Sequence, residues 1–246
     1  MPKYIAVVNP SMDEDDIARL IRKGIAGALF EISHQNYPMA IKLIQLIKQL
    51  STKYNHPVSI IQDVSNMEDK LDLEVGLKSG VHWVASDKGE HLKMAKGLNK
   101  LAGLIFKGRN LPKGIRVDSV LAGNFLDPDA EIIGSEQRQI KHLVDEHPQQ
   151  SLLDSLLKIA HDAGTHAIAV SDASLARGLS FRRPSRKIIF STEDPKAAAK
   201  AGIYWGVHPV FGNVSALSSA RNKNLIQKGQ RLVDATEPKH VTIHLA

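Results

Sequence analysis

Short apolar runs alternate with longer segments of helical periodicity over residues 4–107. In the longer segments, apolar residues recur every three to four positions, which is typical of amphipathic helices. The apolar runs have the length and β-branched content of strands. Because strands that alternate with helices form parallel sheets, this region is predicted to be a parallel sheet or a segment of a (β/α) barrel. The predicted strands are residues 4–8, 26–32, 58–64, 82–85 and 101–107, and the predicted helices are residues 13–23, 37–54, 67–78 and 88–99.

The first predicted helix has a recognisable start. Ser11 precedes an acidic first turn that runs from Asp13 to Asp16. A serine at this point can cap the helix, and carboxylates suit its positive end. We therefore expect Ser11 to be the N-cap.

Residues 108–145 show a weaker pattern, with one predicted strand at 115–121 and one predicted helix at 128–144. A complete barrel of eight strands and eight helices needs about 250 residues. The N-terminal region has about 145 residues, so an eight-fold barrel does not fit. Either the barrel is partial and is completed by another subunit, or it closes with fewer strands.

The alternation becomes regular again after residue 149 and predicts a second α/β domain. The domain boundary is expected at residues 146–150, which gives one domain over residues 1–145 and another over residues 151–246. The predicted elements are helices at 151–163, 173–181 and 196–201, and strands at 167–170, 187–191, 204–211 and 241–245.

The composition is that of a globular protein, with 43% hydrophobic and 24% charged residues. No run approaches the roughly 20 apolar residues that span a bilayer, and the first residues enter a predicted strand without a signal-peptide pattern. We therefore expect a cytoplasmic protein without membrane contact. The chain has no cysteine, which excludes disulfides, thiolate metal sites and cysteine nucleophiles. The 11 histidines show no ligand spacing, so no metal site is predicted.

The formal charge of +6 raises the question of a nucleic-acid partner. However, the basic residues are spread along the chain and aromatic residues make up only 5% of it. A phosphate-bearing small molecule or a solvated basic rim is therefore favoured over nucleic acid. The one dense basic cluster consists of Arg177, Arg182, Arg183, Arg186 and Lys187.

Several landmarks in the C-terminal half resemble the C-terminal domain of pyruvate kinase. They are, in order, Arg182-Arg183-Pro184, Lys187-Ile188-Ile189-Phe190, Asp194-Pro195 and the run Tyr-Trp-Gly-Val-His-Pro-Val at 204–210. In the N-terminal half, Asn9-Pro10-Ser11, Ile32-Ser33-His34 and residues 58–63 are similar to segments of the first barrel strands of that family. The lid domain that the family inserts after Asp63 is missing.

The resemblance implies a fold and an activity. The expected fold is α/β, with a truncated or partial (β/α) barrel-like N-terminal domain followed by a three-layer α/β/α domain. Pyruvate kinases transfer a phosphoryl group between phosphoenolpyruvate and ADP, with magnesium and potassium as cofactors.

The N-terminal positions that the resemblance makes important are mostly altered. Leu29 stands where the family has a phosphate-binding arginine, and Glu31 stands where it has a potassium-ligand asparagine. Ser33 and Asp63 match potassium-ligand positions, whereas Val64 replaces the next ligand, a threonine. Two oxygens make a weak potassium site at most, and the alternative is that both residues cap strand ends.

Lys107 has two alignments within the resemblance. In one it is the catalytic lysine and Arg109 replaces a metal-binding glutamate. In the other it replaces an arginine, and Arg109 or Asn110 replaces a metal-binding aspartate. Neither alignment leaves a magnesium site. A small anion site made by Lys107, Arg109 and Lys113 is one alternative, and a solvated loop is the other.

The segment Ser171-Asp172-Ala173-Ser174 lies where pyruvate kinases bind the phosphates of a sugar-phosphate effector. A hydroxyl-rich turn at a helix start suits phosphate because free N–H groups point there. Arg177, Arg182 and Arg183 would add positive charge. The family's glycine is absent and Asp172 repels anions, so simple helix capping is the alternative.

Three hypotheses of function follow. The first is a catalytically degenerate pyruvate-kinase-like protein that binds a phosphorylated metabolite or a partner subunit. The second is a phosphotransferase of the pyruvate kinase type, or another barrel enzyme, that uses Lys107, Ser33 and Asp63. The third is nucleic-acid binding. We also expect a homo-oligomer that forms through the C-terminal domain, because residues 241–245 alternate like an exposed edge strand and a partial barrel has open edges to cover.

Overall fold

A computed structural model describes residues 3–9, 11–67, 69–98, 101–106, 119–122, 132–135, 149–182, 184–212, 215–237 and 240–246. The chain divides into two compact units, Pro2–Glu136 and Gln137–Ala246. Each unit is built from strands and helices. The division falls before the boundary that the sequence predicted at residues 146–150.

The strands of the first unit form a closed barrel of seven strands in the order β1 to β7. The first six run parallel, and β7 is antiparallel to both β6 and β1. Since β7 pairs with β1, the barrel closes on itself. A partial barrel with open edges was expected as one reason for oligomerisation. That expectation is wrong for these strands, because the barrel is closed. The strands are β1 Tyr4–Val7, β2 Gly27–Glu31, β3 Ser59–Asp63, β4 Trp83–Ser86, β5 Leu101–Phe106, β6 Ser119–Ala122 and β7 Ile132–Ser135.

The strand β7 corrects the prediction of a helix over residues 128–144. Ile132 and Ile133 are a β-branched pair that suits a strand. The strand pairs with β6 on one side and with β1 on the other. Pairing on both sides therefore outweighs the local helical periodicity, because the barrel would otherwise keep two unpaired edges.

Four helices connect the first five strands. They are α1 Glu14–Arg22, α2 Tyr37–Lys53, α3 Lys70–Ser79 and α4 Gly89–Gly97. The N-cap of α1 is Asp13, whose Oδ1 accepts a hydrogen bond from the Asp16 N–H at 2.9 Å. The prediction of Ser11 as the cap is wrong, because both its N–H and its hydroxyl donate to Asn9 Oδ1 at 3.0 Å.

The barrel strands separate their side chains into two apolar layers. Ala28, Phe30 and Ile32 pack against residues of α1 and α2. The alternate residues point into the barrel, where a Cβ on Gly27 would contact the side chains of Ile61 and Ile5. Four of the inward side chains are each at most 1% exposed: Ile5, Leu29, Ile61 and Trp83.

The second unit is a sheet of five strands in the order β10-β9-β8-β11-β12. All neighbours are parallel except β11 and β12. The strands are β8 Ala167–Val170, β9 Lys187–Thr192, β10 Val207–Phe211, β11 Arg231–Ala235 and β12 Thr242–Leu245, and the helices are α5 Gln150–Asp162, α6 Ala173–Arg182, α7 Pro195–Ala201 and α8 Ala216–Asn222.

The strand order of this sheet reverses at β8. The chain adds β9 and β10 on one side of β8, and β11 and β12 on the other. The carboxyl ends of β8 and β11 therefore meet at a topological switch point, which is where open α/β sheets bind ligands. Over the described residues of both units, every helix is too short or too polar to cross a bilayer.

Candidate functional site

Two carboxylates lie at the carboxyl-terminal mouth of the barrel. Glu31 ends β2 and Asp63 ends β3, and the two residues are register partners in the parallel pair. Register partners place their side chains on the same face, and (β/α) barrels bind ligands at this end. Asn66 donates its side-chain N–H to Glu31 Oε1 at 2.7 Å. The described part of the mouth is therefore acidic, with an amide that holds one carboxylate in place.

Ser33 and Asp63 take part in the turns that follow their strands. Asp63 Oδ1 accepts a hydrogen bond from the Ser65 N–H at 2.8 Å. Asn36 Oδ1 accepts a hydrogen bond from the Ser33 N–H at 2.9 Å. Side-chain oxygens that bond to a backbone N–H two or three residues away stabilise turns. These contacts fit the capping alternative for the two residues.

Two apolar side chains stand at positions that the resemblance makes important, Leu29 at that of the phosphate-binding arginine and Val64 at that of a potassium-ligand threonine. Leu29 is 1% exposed, and its register partners are Val7 and Ile61, so its side chain belongs to the apolar filling of the lumen. Val64 packs in the opposite direction, in a cluster with Leu73, Val84 and Ala95. Of the four potassium-ligand positions that the resemblance gives, Val64 therefore offers no side-chain oxygen, and Glu31 offers a carboxylate in place of an amide.

Several candidates lie outside the described residues. They are Lys107, Arg109, Asn110, Lys113 and Arg183. The catalytic and anion-binding roles proposed for them stay predictions. Within the described ranges, no group of three or more histidine, aspartate or glutamate side chains is arranged to hold a metal ion.

At the switch point of the second unit, Ser171 and Asp172 make internal contacts. The Ser171 hydroxyl donates to the backbone oxygen of Thr236 at 2.6 Å, which ties the end of β8 to the end of β11. Asp172 Oδ1 accepts a hydrogen bond from the Leu175 N–H at 2.9 Å. Asp172 therefore caps α6, as the capping alternative expected. Ser174 lies exposed in the first turn of the same helix.

The described arginines of the basic cluster also bind within the unit. Arg182 forms an ion pair with Asp154 of α5, with Nε and Oδ1 at 3.3 Å, and the arginine side chain is 9% exposed. Arg177 lies over the ring of Phe181, with 5.3 Å between the guanidinium carbon and the ring centroid. Arg186 donates from Nε to the backbone oxygen of Thr165 at 2.9 Å. These cations stabilise the packing of the unit rather than form one solvated rim.

A polar cluster on β11 and β12 was not anticipated from the sequence. Asp234 Oδ2 lies 3.5 Å from His244 Nε2, and the Thr242 hydroxyl lies 3.0 Å from the same ring nitrogen. A catalytic relay uses the two different nitrogens of the imidazole, so this arrangement is not one. The sequence does carry a signal for this cluster, since polar residues alternate with apolar ones in both strands. The sequence does not show that the two strands pair, so it does not place Asp234 beside His244.

Among the residues that the structure describes, three groups have shifted pKa values, and each lies outside the predicted sites. Burial lowers the pKa of Lys3, just before β1, to about 8. The hydrogen bond from the Tyr37 hydroxyl to Asp72 Oδ1, 2.7 Å long, raises the pKa of Tyr37 to about 12, with burial adding to the shift. Burial also lowers the pKa of Lys223.

Comparison with known proteins adds no relative. No protein-family model matches the chain, and no curated protein sequence matches it. The resemblance to pyruvate kinase rests on the landmarks quoted above.

Proposed function

We propose that the protein is a reduced relative of pyruvate kinase that has lost catalysis and serves as a binding or regulatory subunit. In this proposal the closed barrel of the first unit descends from the catalytic barrel, without the lid, and the second unit corresponds to the C-terminal domain of that family. The proposal includes a cytoplasmic location, because a chain without cysteine cannot form the disulfides that stabilise proteins in oxidising compartments.

The observation that carries the proposal is the position of Leu29. The family needs a cation at this position to neutralise a phosphate, and phosphoryl transfer depends on such charge neutralisation. Leu29 is instead buried in the barrel, at 1% exposure, with Val7 and Ile61 as its register partners.

Of the two binding roles, the partner subunit has more support than the phosphorylated metabolite. Ser171, Asp172 and Arg182 already bond within the second unit, so few of the proposed phosphate-binding groups point outward. A partner surface is supported by the exposed apolar residues of β12, with Leu245 at 66% exposure.

The proposal is tested by two measurements on the purified chain. A coupled assay of pyruvate formation with magnesium and potassium is expected to give no turnover above background. A thermal-shift screen with nucleotides, phosphoenolpyruvate and sugar phosphates reports any ligand of the folded state, since binding at a hundredfold excess over Kd stabilises by about 2.7 kcal/mol. Robust turnover contradicts the loss of catalysis.

A further inference from the structure

The net charge of the protein is concentrated in its second unit. Residues 149–246 contain 13 lysines and arginines against 7 aspartates and glutamates, a difference of +6. The whole chain contains 32 basic and 26 acidic residues, which is also a difference of +6. The remaining residues therefore carry no net charge, and a polyanion that is attracted by charge is expected to bind the second unit.

Within the second unit, the charges separate towards the two ends of the parallel strands. Acidic residues follow the carboxyl ends of β8, β9 and β11, and they are Asp172, Glu193, Asp194 and Glu237. Basic residues lie where these strands begin, and we call Arg186, Lys187, Lys228 and Arg231 the basic edge. Among the described side chains of the turns at this edge, the one carboxylate is Asp162, 3.2 Å from His161.

The turn between α5 and β8 holds two arginines of the basic edge. Arg186 donates from Nε to the Thr165 backbone oxygen at 2.9 Å, and Arg231 donates from Nη1 to the Ala163 backbone oxygen at 3.0 Å. The register of β8 with β9 and β11 puts both arginines level with His166. Since β9 and β11 flank β8, the two arginine Cα atoms are two strand spacings, or about 10 Å, apart.

The cations of the basic edge keep their charge unneutralised. The carbonyl oxygens that Arg186 and Arg231 bind are uncharged, and each of these bonds uses one of the five N–H donors of a guanidinium. Lys187 likewise donates to the Leu225 backbone oxygen at 2.7 Å. Over the described residues of this unit, the ion pairs with carboxylates involve other cations. Arg231 and Lys228 are exposed, so an anion can reach them.

An aromatic side chain lies beside the basic edge. Trp205 is partly exposed and precedes β10, which is the outer neighbour of β9. The Ile188 N–H of β9 donates to the Gly206 backbone oxygen at 2.9 Å, which fixes this turn next to the start of β9. A row therefore runs along the sheet edge from Trp205 through Arg186 to Arg231. A basic row beside an aromatic ring is typical of surfaces that bind single-stranded nucleic acid.

We propose that the basic edge binds the phosphates of single-stranded nucleic acid, with one base stacked on Trp205. A flexible strand can bring successive phosphates to cations that are fixed along a line. The sheet edge is a line rather than a broad face, which favours a chain-like anion over a lipid surface. Spread along the sequence, these cations gave no signal for nucleic acid, whereas the fold gathers them at one edge. This inference concerns a surface that the proposed loss of catalysis does not involve.

Fluorescence anisotropy of a labelled oligodeoxythymidine tests the binding. An oligonucleotide of about 12 nucleotides lies within the site size of single-strand-binding folds. Binding to the full chain should weaken as salt is added. The plot of log Kd against log salt concentration should have a slope of about 2, because each of about three neutralised phosphates contributes about 0.7. A duplex of the same length should bind more weakly.

Single-charge variants test the place of binding. Lys228→Gln should raise Kd several-fold and lower the slope by about 0.7. Lys228 makes no hydrogen bond with the described residues, so its loss should leave the fold intact. Arg231→Gln should act in the same way, and Arg231→Lys should restore the slope because it keeps the charge. The matched control is Lys196→Gln, which removes an exposed charge at the start of α7, towards the acidic ends of the strands, and should leave the slope unchanged.

Tryptophan fluorescence tests the stacking. Trp83 is 1% exposed inside the barrel, so quenching by unlabelled oligonucleotide reports on Trp205. We expect quenching that saturates together with the anisotropy, and saturation without quenching excludes the stacked base.

The following results overturn the inference. Absence of binding at about 50 mM salt excludes a nucleic-acid surface. An equal effect of Lys196→Gln and Lys228→Gln shows attraction by net charge without a site. Equal affinity for inorganic polyphosphate shows binding of charge alone, and stronger binding to phosphatidylserine vesicles shows a membrane surface. The turnover measurement is independent of all these results, so the proposed loss of catalysis stands or fails separately.

Discussion

Replacing Lys3 with methionine should stabilise the folded protein at neutral pH and should have little effect at strongly alkaline pH. Lys3 is partly buried just before β1, and within the described residues it makes no ion pair. Burial lowers the pKa of its ammonium group from 10.5 to about 8. At about 1.36 kcal/mol for each pH unit, the folded state carries a cost of up to about 3 kcal/mol for holding this charge.

The pH dependence follows from proton binding in the two states. Below pH 8 both states hold the proton, so the cost is present in full. Between pH 8 and 10.5 the folded state loses the proton while the unfolded state keeps it, so the free energy of unfolding rises with pH. Above pH 10.5 both states are neutral and the cost disappears.

The assay is urea denaturation at several pH values from 7 to 11. The free energy of unfolding of Lys3→Met should exceed that of the natural chain by up to about 3 kcal/mol at pH 7, and the difference should shrink between pH 8 and 10.5. The matched control is Lys42→Met, at an exposed position of α2, which should show no such slope. A difference that stays constant across this pH range would refute the reasoning.

Three further predictions concern the first unit. Gly76→Ala should lower the free energy of unfolding by about 1 to 3 kcal/mol, because the new Cβ would overlap the buried Gln62 amide. Adding Gln62→Ala should relieve most of that loss, and urea denaturation measures both effects. Tyr37→Phe should lower Tm, measured by circular dichroism, because the buried carboxylate of Asp72 loses the hydroxyl donor. Asn66→Ala should lower the free energy of unfolding by about 0.5 to 1.5 kcal/mol, measured by urea denaturation, because the Glu31 carboxylate loses its 2.7 Å hydrogen bond.

The repeating strands and helices of the barrel were predictable because each repeat is encoded locally. The predicted strand at 26–32 and the observed Gly27–Glu31 differ by one residue at each end, since the apolar run itself sets the limits. Trp83, at the start of the strand Trp83–Ser86, is 1% exposed. The strand Ile132–Ser135 was missed because its structure depends on pairing with both ends of the barrel sheet.

In the second unit, the sequence missed elements whose local signal is short. The strand Arg231–Ala235 contains only two strongly apolar residues, Leu232 and Val233, and its place in the sheet comes from pairing with both β8 and β12. The helix Ala216–Asn222 is rich in serine and alanine and has no strong amphipathic pattern in the sequence.

The candidate sites were predictable only in part, because side-chain partners are set by the tertiary fold. The sequence identified Glu31 as a changed position but gave no sign that Asn66, in a loop 35 residues later, would hold its carboxylate. Likewise, the basic cluster was visible in the sequence, whereas the ion pair of Arg182 with Asp154 requires the packing of α6 on α5.

The measurement that tests the central claim most directly is the rate of pyruvate formation from phosphoenolpyruvate and ADP. The assay contains saturating magnesium and potassium, with an active pyruvate kinase as the positive control. We predict a rate equal to that of the buffer blank, because Leu29 cannot neutralise a phosphate from the barrel lumen. Sustained turnover that is abolished by Lys107→Ala would contradict the account and would establish the phosphotransferase alternative.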